Sequence, residues 1–98
     1  MAEEEKYDEI IFYGLSTCMW CRKTRAFLDE KNVEYIGFYV NELVGEEKEK
    51  AMEEARKLNP NRSYPVIKIG DRVVVGYHPD EIEEALGACH PKMKSISA

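Results

Sequence analysis

The stretch Ile10-Ile11-Phe12-Tyr13-Gly14-Leu15-Ser16-Thr17-Cys18-Met19-Trp20-Cys21-Arg22-Lys23 joins an apolar run to a pair of cysteines. The run Ile10-Ile11-Phe12-Tyr13, bounded by Gly14, has the pattern of a strand covered on both faces by helices. The loop that follows brings the chain to Cys18 and Cys21 at the start of a helix predicted over residues 19–31, which Ser16 or Thr17 can cap. A thiol at such a junction can become a nucleophile, because helix-start N–H groups favour negative charge. The second thiol, three residues on, is close enough to close a disulfide with the first. Dithiol–disulfide redox chemistry follows from that arrangement.

Trp20, Thr24, Phe27, Leu28 and Lys31 recur at helical spacing and give this helix an apolar stripe. Residues 33–40 are rich in β-branched and aromatic side chains and predict a second strand. Strand, helix and strand with short connections make a βαβ unit, so the two strands are expected to be parallel. A second helix is predicted over residues 46–58, with a narrow stripe of Ala51, Met52, Ala55 and Leu58 and a stop at Asn59-Pro60. Residues 65–69 and 72–75 flank a Gly70-Asp71 turn and predict a β-hairpin. Pro79 opens a third helix with Asp80 and Glu81 in its first turn; Ile82, Ala85 and Leu86 face inward and Gly87 is expected to close it.

The 98 residues are expected to form a single domain, with a core over about residues 10–87, an acidic N-terminal tail over 1–8 and a loose tail over 88–98. Hydrophobic residues at 44% suffice for a packed interior, and a net charge of −5 argues against nucleic acid as a partner. The first nine residues carry five acids and one lysine and no apolar run of the kind a secretory leader has. No stretch approaches the roughly 20 apolar residues of a membrane-spanning helix. A cytoplasmic monomer without a membrane partner is the expectation. Three cysteines, two of them in Cys-x-x-Cys, do not make a secreted disulfide framework, which leaves redox or metal chemistry.

The predicted order β-α-β-α-β-β-α makes an α/β fold, a mixed four-stranded sheet with helices on both faces: the thioredoxin-like architecture in its smallest form. Over residues 10–87 the sequence resembles a glutaredoxin, and within that family the pattern of NrdH-type redoxins. Three features carry the resemblance: Cys18-Met19-Trp20-Cys21 at a strand–helix junction, Tyr64-Pro65-Val66 entering the hairpin, and Gly76-Tyr77-His78-Pro79-Asp80 before the last helix. It implies a thiol-disulfide oxidoreductase with no bound cofactor, working through a redox-active Cys18–Cys21 disulfide. It further implies a cis Tyr64–Pro65 bond beside Cys18, and a substrate-contacting rim of Leu15, Thr17, Met19, Trp20, Tyr64, Pro65, Gly76, Tyr77 and His78.

On this reading Cys18 attacks a substrate disulfide and Cys21 resolves the mixed disulfide. Arg22, Lys23 and Arg25 stand ready to add positive potential at the thiolate. Leu15 stands where glutathione-using members usually carry a lysine, Met19 where they carry a proline, and Tyr77-His78 near their usual acidic pair. Glutathione is therefore not favoured as the reductant, and a flavoprotein disulfide reductase is the expected electron donor. Disulfide-containing proteins, with ribonucleotide reductase or a peroxiredoxin as candidates, are the expected substrates. A glutathione-dependent glutaredoxin is the alternative within the class. Outside it stands a module binding zinc or an iron–sulfur cluster. Zinc would need two ligands beyond the cysteine pair, and the adjacent Cys89 and His90 chelate one tetrahedral ion poorly. Otherwise Cys89 reads as a free surface thiol.

Overall fold

A computed structural model describes residues 7–61 and 63–93. The apolar run forms the strand β1 (Ile10–Gly14), followed by α1 (Met19–Glu30) and β2 (Ile36–Tyr39). A 3-10 turn (Val40–Glu42) leads to α2 (Gly45–Leu58), then β3 (Val66–Ile69), β4 (Arg72–Val75) and α3 (Pro79–Ala88). The four strands lie in the order β2-β1-β3-β4. β1 pairs parallel with β2, Phe12 opposite Gly37, and antiparallel with β3, Phe12 opposite Ile67. The hairpin closes with Val66 opposite Val75, and its turn glycine, Gly70, takes φ +59°, a left-handed conformation that glycine adopts without steric cost.

The continuous hydrophobicity of β1 has its cause in this order, because a central strand has no wet face. Ile10 and Phe12 join Ile67, Ile69 and Val74 on one face, where Leu28 of α1 and Ile82, Ala85 and Leu86 of α3 cover them. Tyr13 and Val66 face the other way, onto Val40 and onto Ala51 and Ala55 of α2. The small alanines let α2 approach the sheet, and Tyr13 donates a hydrogen bond to Glu54 of that helix at 2.9 Å. Met52, in the expected stripe of α2, is largely exposed. Helices thus cover both faces of one mixed sheet, as the sequence implies.

Several boundaries differ from the sequence reading, each for a physical reason. β2 starts at Ile36 rather than at residue 33, because Val33 pairs with Met93 and the Glu34 N–H donates to the Lys92 carbonyl. It ends at Tyr39, where Val40 enters the 3-10 turn. Helix α1 stops at Glu30; Lys31 is its C-cap, and Asn32 in the left-handed region (φ +63°) turns the chain. Gly87 lies inside α3, which runs on to Ala88. Residues 89–93, expected to trail loosely, return along the sheet. Asp8 pairs with Pro91, its N–H donates to the His90 carbonyl, and its carboxylate accepts the His90 N–H at 2.7 Å. Tyr7 stacks on His90 at 4.7 Å, so the tail expected over 1–8 is tied down at this end; residues 1–6 and 94–98 lie outside the described residues.

Candidate active site

The site forms at the carboxyl ends of the parallel strands β1 and β2, where a βα connection leaves the sheet and backbone donors converge. Beyond Gly14, the Leu15 carbonyl accepts the Cys18 N–H at 3.1 Å and closes the loop into a turn. Cys18 then stands at the N-cap of α1 with extended backbone (φ −93°, ψ 120°), and its sulfur accepts the Cys21 N–H at 3.3 Å. The expected caps, Ser16 and Thr17, are displaced by the thiol itself, which fills the role an oxygen usually takes. An N-cap sulfur faces the unpaired amides of the first turn, so its anion is the form the helix favours.

The two thiols are in opposite electrostatic situations. Partial burial works against ionisation of Cys18, but the Cys21 thiol and amide, the Trp20 amide and the Arg22 guanidinium outweigh it and bring its pKa below the ordinary thiol value. Cys21 has no exposed surface, and burial, together with the hydrogen bond its thiol gives Cys18, pushes its pKa up to about 12. One contact works the other way: the Leu15 N–H donates to the Cys21 sulfur at 3.4 Å and favours its anion. All three cysteines are free thiols.

Trp20, Tyr64, Pro65, Gly76 and Tyr77 line a cleft of about 220 Å³. The Tyr64–Pro65 bond is cis, and the Pro65 carbonyl accepts the Gly76 N–H at 2.8 Å. Tyr77 stacks on Trp20 with ring centroids 5.8 Å apart and meets Phe27 edge-on at 6.4 Å. Trp20 is 51% exposed and Met19 54%. The other residues of the expected rim stand outside the lining of this cleft but close to it: the Leu15 amide meets the Cys21 sulfur, Thr17 precedes Cys18, and the His78 ring approaches Gly76. Leu15 packs toward Tyr13 and Val66 on the α2 face, Thr17 is exposed in the loop, and His78 is the exposed N-cap of α3 without a side-chain capping bond.

Of the three basic residues on α1, Arg22 acts on Cys18. Lys23 lies over the Trp20 ring at 5.1 Å. Arg25 turns away; its guanidinium sits 4.9 Å from the Tyr39 ring and donates to the Tyr35 hydroxyl. Asn41, which the sequence reading passed over, bonds across to the loop before Cys18: its Oδ1 accepts the Ser16 N–H at 2.9 Å and its Nδ2 donates to Ser16 Oγ at 2.8 Å. The available signal was topological, since parallel strands place the residues after β2 beside those after β1. Cys89 and His90 lie by Asp8, at the opposite end of β1 from Cys18. Among the described residues, no three His, Cys, Asp or Glu side chains cluster as metal ligands would, and no helix is long and apolar enough to cross a membrane.

The family model described as Glutaredoxin matches residues 10–74, which hold the cysteine pair, the cis-proline and all but the last residue of the hairpin. The chain belongs to the glutaredoxin family. A glutaredoxin-like 8.6 kDa protein from the rubredoxin operon of Clostridium pasteurianum is 34% identical over 77 residues, covering 79% of this chain and 96% of that protein. The glutaredoxin of Methanosarcina mazei Go1 superposes with a TM-score of 0.76 at 43% identity, covering 82% of this chain and 79% of that one. Methanoredoxin of Methanosarcina acetivorans superposes with a TM-score of 0.78 at 36% identity, covering 83% and 86%. Glutaredoxins are thiol-disulfide oxidoreductases, generally with a redox-active cysteine pair, and this chain is a thiol-disulfide oxidoreductase.

Proposed function

We propose that this glutaredoxin reduces protein disulfides by a dithiol route in which Cys18 attacks and Cys21 resolves. The asymmetry between the two thiols carries the reading: Cys18 is accessible with its thiolate favoured, and Cys21 is wholly buried with its neutral thiol favoured. The Cys18 thiolate attacks one sulfur of the substrate disulfide and expels the other as a thiolate, leaving a mixed disulfide on Cys18. Cys21 then gives up its proton, which the departing sulfur accepts, and attacks the Cys18 sulfur. The Cys18–Cys21 bond forms as the bond to the substrate breaks, and the departing sulfur leaves with the electron pair. Two electrons pass from the cysteine pair to the substrate.

The walls of the cleft support a protein substrate. Trp20 and Tyr77 give the cleft aromatic surface, Met19 adds an exposed thioether next to Cys18 in the chain, and the Tyr64 backbone stands before β3 where an extended chain can pair. Leu15, Met19 and Tyr77-His78 replace the groups with which related proteins hold glutathione, which favours recycling by a flavoprotein disulfide reductase. The resemblance to NrdH-type redoxins makes ribonucleotide reductase one candidate substrate and peroxiredoxins another, in the cytoplasm.

The test couples the oxidised protein separately to NADPH with a thioredoxin-reductase-type flavoprotein and to glutathione with its reductase, with insulin as the disulfide substrate. Turnover with the flavoprotein, its loss in Cys18→Ser, and accumulation of a mixed disulfide in Cys21→Ser are expected. Full insulin reduction by Cys18→Ser would overturn the mechanism. Fast turnover with glutathione and none with the flavoprotein would overturn the assignment of the electron donor.

A further inference from the structure

The proposed route asks two different things of one loop. Residues 15–17 must present the Leu15 carbonyl to the Cys18 N–H and the Leu15 N–H to the Cys21 sulfur, at 3.1 and 3.4 Å. The second contact matters when Cys21 becomes the attacking anion, because a buried thiolate without a donor is costly. The Leu15 side chain packs toward Tyr13 and Val66, but the chain then runs through Ser16 to an exposed Thr17 before it reaches Cys18. The brace comes from a separate element. Asn41, in the turn after β2, both accepts from the Ser16 N–H and donates to Ser16 Oγ, fixing the residue next to Leu15 from a point 25 residues along the chain. That turn is itself anchored: Val40 is buried against Tyr13 and Val66, and the Leu43 N–H closes onto the Val40 carbonyl at 3.3 Å.

We infer that Asn41 is a positioning residue for the resolving half-reaction, holding the 15–17 loop through Ser16 so that the Leu15 amide meets the Cys21 sulfur as it attacks the mixed disulfide. The inference rests on the dithiol reading above. It separates the two half-reactions. The donors on Cys18, namely the Cys21 amide and thiol, the Trp20 amide and Arg22, all belong to α1 and stay in place without Asn41. The donor on Cys21 comes from the loop and depends on Asn41. Formation of the mixed disulfide draws on the first set, and its resolution on the second. Either oxygen of an aspartate could accept from the Ser16 N–H while the other accepts the Ser16 hydroxyl proton, so Asn41→Asp retains the brace and Asn41→Ala removes it.

The experiment mixes fully reduced protein, in a Cys89→Ser background, with 5,5′-dithiobis(2-nitrobenzoate) in a stopped-flow spectrometer. One thionitrobenzoate is released when Cys18 attacks and a second when Cys21 resolves. Asn41→Ala is expected to leave the first phase unchanged and to slow the second by about fivefold, the effect of one lost hydrogen bond, with most of the rate restored in Asn41→Asp. Equal slowing of both phases in Asn41→Ala, an unchanged second phase, or no rescue by Asn41→Asp would each overturn the inference. Cys21→Ser keeps the controls apart. If it still shows the second phase, the dithiol reading fails; if it loses that phase while Asn41→Ala keeps it at the parental rate, the inference alone fails.

Discussion

The amide of Cys21 donates to the sulfur of Cys18 across 3.3 Å, so the residue assigned to resolve the mixed disulfide first serves to activate its neighbour. The consequence is measurable in the reduced protein. Limited treatment with iodoacetamide at neutral pH is expected to label Cys18 and spare Cys21. The rate should rise with pH through a midpoint below the ordinary thiol range, since only the thiolate reacts. Arg22→Ala moves that midpoint upward and slows alkylation at pH 7 by less than about fivefold, as befits an exposed charge. Arg25→Ala leaves the midpoint in place, because its guanidinium is committed to Tyr35 and Tyr39. A single midpoint shared by both cysteines would contradict the asymmetry.

The same asymmetry sets a pH dependence of stability. Cys18 has a folded pKa below its ordinary value near 9, so the stability its thiolate contributes is fully present above that value and is lost as pH falls through the folded pKa. Cys21, raised to about 12, contributes stability that is complete below its ordinary value near 9 and is lost as pH climbs from there toward 12. Neither group titrates in the disulfide form, whereas Cys89 and Tyr13 titrate in both forms and cancel in a comparison. The difference in denaturation midpoint between reduced and oxidised protein is therefore expected to move in favour of the reduced form up to about pH 9 and against it above. Guanidinium titrations of both forms across that range check it, and a difference that rose steadily with pH would contradict the burial of Cys21.

How much of this was legible in the sequence depends on the range of the interaction. The apolar run at Ile10, the stripe of α1 and the Gly70 hairpin are local patterns, and they gave the element order and the mixed sheet. The cysteine pair was equally visible, as spacing alone puts both thiols in one turn. The length of β2 was not, because Val33 pairs with Met93, far along the chain, instead of with β1. The thiol cap was hidden by the presence of Ser16 and Thr17, both better capping residues in isolation. Asn41 carries no local mark of its role, and the three basic residues of α1 are alike in sequence. Only the direction of each side chain separates Arg22, at the thiolate, from Arg25, among the tyrosines.

Trp20 and Tyr77 form the aromatic wall of the cleft, with Phe27 edge-on behind Tyr77. Trp20→Ala is expected to lower kcat/KM for a protein disulfide by about two- to tenfold, mostly through KM, matching the ~0.5–1.5 kcal/mol of an aromatic pair. The alkylation rate of Cys18 by a small reagent should hardly change, since the indole ring lends it no hydrogen bond. Tyr77→Ala is expected to repeat the pattern more weakly. Equal losses with insulin and with a small disulfide would show that these rings act on the thiol rather than on the substrate.

Gly14 lies where β1 runs close against the helix that carries Cys21. A methyl group on Gly14 would lie 2.6 Å from Phe12 Cζ and 3.1 Å from Cys21 Cβ, the first well inside van der Waals contact. The Phe12 ring has no exposed surface and is met edge-on by Tyr39 at 6.0 Å, so it has little room to retreat. The added carbon must then push the start of α1 outward. Gly14→Ala is expected to cost about 1–3 kcal/mol, the usual range for overpacking a filled core. Displacing Cys21 also lengthens the bond from its amide to Cys18, so the Cys18 alkylation midpoint should move up toward the ordinary thiol range. Denaturant unfolding and the pH profile of alkylation, measured on the same preparation, test both effects. A variant that lost stability but kept the parental midpoint would mean that Phe12 yields and the helix does not.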